Sequence, residues 1–307
     1  MDLEVTRSDI DHAAIRIKPH VRRSPILSLG DVLDGGFDLS LKLDNTQPTG
    51  SFKVRGAFSL LTAVQPTGGV TAASGGNFGI AVAYACKELG YSATVFVPET
   101  SPAEKIDRIA EHGAELRIIP GYYHDALAEC ERFVIESGSF MAHAYDQPEV
   151  VAGQGTAAKE IVEQVRDVST TLVAVGGGGL IGGIASWSRD DFKVIATEPE
   201  RCSSFHAARV AGRPVKVEVG GVASSSLGAS MIGDYAWYAN RWIDDAVLVT
   251  DDQIVTAQQW LWGTTKLAVE PSAATTVAAL LSGVYRPESG EHVVALLSGA
   301  NFDPSTI

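Results

Sequence analysis

TLVAVGGGGLIGGIASWSRDDFKVIATEP, residues 171–199, decides how this chain folds. A short β-branched run leads into four successive glycines, an apolar stretch through Trp187 follows, and a second β-branched run, KVIATEP, closes the segment. The uncharged span 170–188 has the length of a membrane helix, but six of the eight residues from 176 to 183 are glycine. Strand, glycine turn, helix and parallel strand account for it better, and such units place ligands beyond the carboxyl ends of their strands.

The same alternation runs along the rest of the chain. Residues 70–73 predict a strand and 79–89 a helix closed by Gly90. ATVFVP (strand), 102–111 (helix), ELRIIP (strand) and 124–136 (helix) come next. A helix over 155–165 is expected after Pro148, others near 252–266 and 272–281, and HVVALL reads as the terminal strand. The fold class is α/β. At 307 residues two domains are favoured over one, with a cleft between them.

Composition bounds the partners. A formal net charge of −13 argues against nucleic acid, which needs clustered lysine and arginine. Three separated cysteines, Cys86, Cys130 and Cys202, make neither a disulfide framework nor a zinc site. The first twenty residues lack the apolar core of a signal peptide, and the expectation is a cytoplasmic protein with no membrane partner. The seven histidines form no HExxH and no GxSxG occurs, so metallohydrolase and serine-hydrolase readings have no anchor.

Three glycine-rich turns follow strands and should share one edge. Gly176, Gly177, Gly178 and Gly179 leave backbone N–H groups open at a helix start, an anion cradle suited to phosphate. SGGNFG (74–79) offers a second group of N–H donors beside the Asn77 amide, suited to a carboxylate or phenolic oxygen, or else a simple helix cap. SGAN (298–301) carries the Ser298 hydroxyl to the same edge. In NTQPTGSFKVRGA (45–57), turn residues precede Phe52 and Lys53, placing an aromatic wall beside an amine. Partial burial would lower the pKa of that amine from about 10.4 and make it reactive. Gly177-x-Gly179-x-x-Gly182, with Glu198 at the end of the next strand, leaves a nicotinamide oxidoreductase open, and a non-catalytic amino-acid binder is a third class.

In this order, SFKVRGA, SGGNFG, AGQGT, VGGGGL, VEPSA and LSGAN resemble the fold type II pyridoxal-phosphate enzymes of the threonine/serine dehydratase and serine racemase group. The resemblance implies two open twisted-sheet α/β domains with the active site between them. Residues 1–47 plus 146–307 would form the large cofactor-binding domain and 48–145 the small one. It implies that Lys53 holds pyridoxal 5'-phosphate as a Schiff base and then shuttles the substrate α-proton, with Phe52 against the ring. Gly176, Gly177, Gly178, Gly179 and Leu180 would hold the phosphate, Asn77 the phenolic oxygen, and Ser298 would face the pyridine nitrogen. Ser74, Gly75, Gly76 and Asn77 would bind the substrate carboxylate. The implied reaction is dehydration and deamination of threonine, serine or a related 3-hydroxy amino acid by a homodimer. Racemisation and 3-hydroxyaspartate dehydration are the alternatives within the group.

Several positions depart from the group's pattern. Gly75 stands where serine racemases carry a second serine, which favours elimination over racemisation. The racemase metal site would use Glu198, the Cys202 carbonyl and an acid at 204, but this chain has Ser204, so no metal is expected. Phe78 replaces a frequent histidine, and VASSSLG (222–228) replaces an Ala-Asp-Gly segment. The sequence ends soon after SGAN, and feedback inhibition is not expected.

Overall fold

A computed structural model describes residues 3–306. Ten strands form two sheets. In chain order they are β1 Ile26–Gly30, β2 Asp38–Lys42, β3 Val70–Ala73, β4 Ala93–Pro98, β5 Glu115–Ile119, β6 Phe140–Met141, β7 Thr170–Ala174, β8 Lys193–Pro199, β9 Asp245–Val249 and β10 His292–Leu296. The larger sheet has the order β1-β2-β10-β7-β8-β9, and the smaller β5-β4-β3-β6. Every pairing is parallel except the antiparallel β1–β2 edge. All four strands of the smaller sheet lie between Val70 and Met141 in sequence.

The opening segment lies at the middle of the larger sheet. β7 is buried along its whole length between β10 and β8, with Leu172 opposite both Ala295 and Ile195. Its side chains alternate faces: Leu172 and Ala174 pack with Val277 and Ala278, whereas Val173 and Val175 pack with Ile184 and Phe205. Both faces are covered by helices, which is why the strand reads as continuously apolar. The span resembling a membrane helix is thus strand, loop and the helix Gly179–Ser188, and no helix among the described residues is long and apolar enough to cross a membrane.

The strands expected at 70–73, 93–98 and 193–199 stand at those bounds. The helix expected over 155–165 instead runs Pro148–Gln164. Proline at its first turn starts it, and its glycines are contact points rather than breakers. A Cβ on Gly153 would lie 2.7 Å from the Arg55 carbonyl, and one on Gly155 would lie 2.8 Å from the Gly183 carbonyl. The bare backbone of this helix therefore lies directly against the helices Lys53–Val64 and Gly179–Ser188, one on each side.

Behind the first turn of Lys53–Val64 lies a buried charge network. Arg55, fully buried, makes paired 2.8 Å bonds to Asp44 and again to Glu160. Lys42 reaches Glu160 at 2.6 Å, and Ser24 donates to Asp44 at 2.5 Å. Burial alone would raise the Asp44 carboxyl, but Arg55, with Lys42 and Ser24, holds it below its ordinary value.

Candidate active site

The end of β10 and the turn before Lys53 are stitched together. Ser51 and Gly299 form an antiparallel bridge, the Phe52 N–H donates to the Ser298 carbonyl at 3.0 Å, and the Ala300 N–H donates to the Gly50 carbonyl at 2.9 Å. Gly50 takes a φ of 71°, the left-handed turn that the Pro-Thr-Gly sequence forecast. These bonds place Phe52 and Lys53 beside Ser298 although they are far apart in sequence.

Lys53 opens its helix and is partly buried. Its Nζ donates to the Ala144 carbonyl at 2.8 Å and lies 5.1 Å from the Phe52 ring centre and 5.7 Å from that of Phe78. Burial lowers its pKa to about 8, against an opposing pull from Glu270. The positive end of the helix dipole acts in the same direction as burial. At pH 7 about a tenth of this amine is unprotonated, against well under 1% for an ordinary lysine, and the neutral form is the nucleophile.

Across the cavity the glycine loop is walled on every side. A Cβ on Gly177 would fall within the Tyr145 ring, one on Gly179 would lie 2.9 Å from the Tyr145 Cα, and one on Gly176 would lie 3.0 Å from the Leu227 Cα. Gly178 has a φ of 90°. Four glycines are needed because four positions have no room for a side chain, and the amides they expose stand at the start of Gly179–Ser188.

One cavity collects Phe52, Lys53, Asn77, Gly176, Gly177, Gly178, Gly179, Leu180 and Ser298. Sequence reasoning had named all of these. Ser74, Gly75 and Gly76 immediately precede Asn77 but are not in the cavity wall. The Ser74 hydroxyl accepts from the N–H groups of Gly76 and Gly79, so the helix-cap reading of SGGNFG also holds. At Gly75 the Ser101 hydroxyl and Val97 fill the space a side chain would need.

Ala174, Glu270, Ser226, Leu227 and Ser272 complete the wall and were not singled out. Glu270 accepts from the Asn77 amide at 2.7 Å and from Ser226 at 3.0 Å, with the buried Lys105 at 3.9 Å. Asn77 also accepts from Asn301 at 2.8 Å, which holds its amide in one orientation. The Ser272 hydroxyl is buried with no partner among the described residues. VEPSA contains Glu270 and Ser272, and VASSSLG contains Ser226 and Leu227, so a signal existed at both places. Tyr145 had none, because its partners are backbone atoms of a distant loop.

Glu198 is fully buried, and its two oxygens accept from the N–H groups of Phe205 and His206 at 2.9 and 2.7 Å. A fully buried carboxylate whose oxygens are engaged by these amides is not presented to a ribose, which weighs against the dinucleotide reading of the glycine loop. It does not fit a divalent cation either: its oxygens are taken by amides, and no group of three or more metal-ligating side chains occurs among the described residues.

The pattern that defines the family "Pyridoxal-phosphate dependent enzyme" matches residues 17–299. An L-threonine ammonia-lyase of Geobacter sulfurreducens is 34% identical over 307 residues, covering 97% of this chain and 76% of that one. A serine racemase of Arabidopsis thaliana is 32% identical over 308 residues, covering 96% and 92%. The solved structure of maize serine racemase superposes with a TM-score of 0.93 at 30% identity, covering 98% and 95%. The residues here fit a phosphate-bearing aldehyde cofactor: an amine of lowered pKa shares one cavity with the glycine loop at a helix start, and the Ser272 hydroxyl in the same wall is buried with no partner among the described residues. By the extent of these matches, the chain belongs to the pyridoxal-phosphate dependent enzymes.

Proposed function

We propose that this protein eliminates the β-hydroxyl of threonine, serine or a related 3-hydroxy amino acid, yielding a 2-oxo acid and ammonia. The observation that carries the proposal is Lys53, a partly buried amine of pKa about 8 in the same cavity as the glycine loop. Bound there, pyridoxal phosphate supplies the electron sink that acidifies the substrate α-carbon. Lys53 would hold the cofactor through its amine, and its Nζ would take the substrate α-proton. Residues 176–180 hold the phosphate, Phe52 keeps water from one face of the ring, and Asn77, oriented by Glu270 and Asn301, donates to the phenolic oxygen. The motif resemblance assigns the substrate carboxylate to Ser74, Gly75, Gly76 and Asn77, of which Asn77 lies in the cavity wall. The neutral Ser298 hydroxyl does not favour protonation of the ring nitrogen as a carboxylate would, and this favours prompt loss of the β-hydroxyl. The water lost in that step is taken up again when the released unsaturated amine hydrolyses to oxo acid and ammonia.

Racemisation is the second reading, supported by the superposition on serine racemase. The absence of a side-chain hydroxyl at Gly75 weighs against it. The motif resemblance also carries the division into 1–47 plus 146–307 and 48–145, a homodimer and a cytoplasmic location. Mass measurement in solution tests the dimer.

The deciding experiment incubates the purified protein with L-threonine and L-serine and follows both 2-oxo acid and D-serine. Oxo acid as the main product is expected. D-serine without oxo acid would replace the lyase by a racemase.

The pKa of Lys53 makes a further prediction. Only the neutral amine attacks the cofactor aldehyde, and its fraction rises from about 1% at pH 6 to about 50% at pH 8 for a pKa of about 8. Covalent capture of the cofactor by the apoenzyme, followed by stopped-flow absorbance, should accelerate about 50-fold over that range and level off above pH 9. A rate still climbing beyond pH 10 would mean that burial leaves the amine unperturbed.

A further inference from the structure

A loop of four glycines has little stiffness of its own, because each residue enters left- and right-handed regions at comparable cost. Such a loop binds an anion only if its peptide planes are held with N–H inward. In a trans peptide the carbonyl of one residue and the N–H of the next point in opposite directions, so fixing the carbonyl outward turns the following N–H inward. Three carbonyls of the loop are fixed in this way. That of Gly178 accepts from Gly182 N–H at 2.8 Å within the helix, and that of Gly177 accepts from Gly233 N–H at 3.1 Å. That of Gly176 accepts from the Ser204 hydroxyl at 2.9 Å. The first two holds are backbone bonds; the third rests on one side chain.

Ser204 is free for this task because of its neighbours. It is fully buried at the first position of the helix Ser204–Ala211, one residue after the N-cap Ser203, whose side chain makes no capping bond. Here the Glu198 carboxylate takes the amides of Phe205 and His206, and the Ser204 hydroxyl turns to the glycine loop instead.

We infer that Ser204 is a positioning residue for the phosphate cradle: by holding the Gly176 carbonyl outward it keeps the Gly177 N–H directed at the cofactor's phosphate. This rests on the reading of residues 176–180 as that cradle. Without the hydroxyl the Gly176–Gly177 peptide is free to flip, which would put a carbonyl oxygen where an anion must bind.

The test compares binding of pyridoxal phosphate and of pyridoxal, which has the aldehyde but no phosphate, to apoenzyme by absorbance titration, with inorganic phosphate as competitor. Ser204→Ala should weaken pyridoxal phosphate and inorganic phosphate about tenfold and leave pyridoxal within twofold of wild type. Ser204→Thr, which retains the hydroxyl, should restore phosphate-dependent binding to within about threefold. Equal losses for both aldehydes, or no loss for either, would overturn the inference, since a merely structural serine does not discriminate on the phosphate. A wild-type protein binding both aldehydes equally would instead remove the cradle reading itself, and the inference with it.

Discussion

Replacing Lys53 by alanine is expected to lower 2-oxo acid release by about 10³-fold or more, since one residue supplies both covalent attachment and proton transfer. The fold should survive. Alanine is the best helix former at the start of Lys53–Val64, and the only hydrogen bond lost is that to the Ala144 carbonyl. The informative readout is covalent: after borohydride reduction and gel filtration, wild type should retain the cofactor on the peptide containing Lys53, and Lys53→Ala should retain none. A variant keeping a tenth of wild-type turnover, or a cofactor fixed on another lysine, would end the assignment of Lys53 as the reactive amine.

Arg55 lies two residues further along, and its loss should act on stability rather than on chemistry. Arg55→Ala leaves Asp44 fully buried without its main counter-charge and Glu160 with Lys42 alone. Removing one partner from such a network costs about 3–5 kcal/mol. For a protein of this size that corresponds to a fall of about 5–8 °C in the apoenzyme's Tm. The sign of the acid dependence follows from Asp44, whose folded pKa lies below its ordinary 3.8. Its contribution is present above that ordinary value and is lost as pH falls through the folded pKa. Calorimetry on wild type and Arg55→Ala checks the first statement; a Tm within 2 °C of wild type would mean that the network only offsets its own desolvation.

Most of the reactive apparatus was legible because its chemistry needs unusual residues at fixed places. Phe52 and Lys53 follow a turn whose Gly50 takes the left-handed conformation. Gly176, Gly177, Gly178 and Gly179 are four glycines in succession, and each proves to have no space for a side chain. One boundary failed for a related reason. The helix expected from 155 starts at Pro148, and its Gly153 and Gly155 are bare because two other helices press on them, a contact invisible along the chain.

Local pattern and turn chemistry were determined by the sequence itself: the alternation of strands and helices, the glycine loop at the start of Gly179–Ser188, the amine after a turn. These depend on φ/ψ preference and side-chain period, which act between near neighbours. Only the tertiary structure decided that Glu270 orients Asn77, that Tyr145 backs the glycine loop, that Ser101 fills the space at Gly75 and that Ser204 holds a carbonyl of the cradle. Each of these joins residues that are separated along the chain and become neighbours only after strands and helices have packed. Hydrogen bonds and close packing are short-ranged in space, and a linear pattern carries no record of which distant atoms they will join.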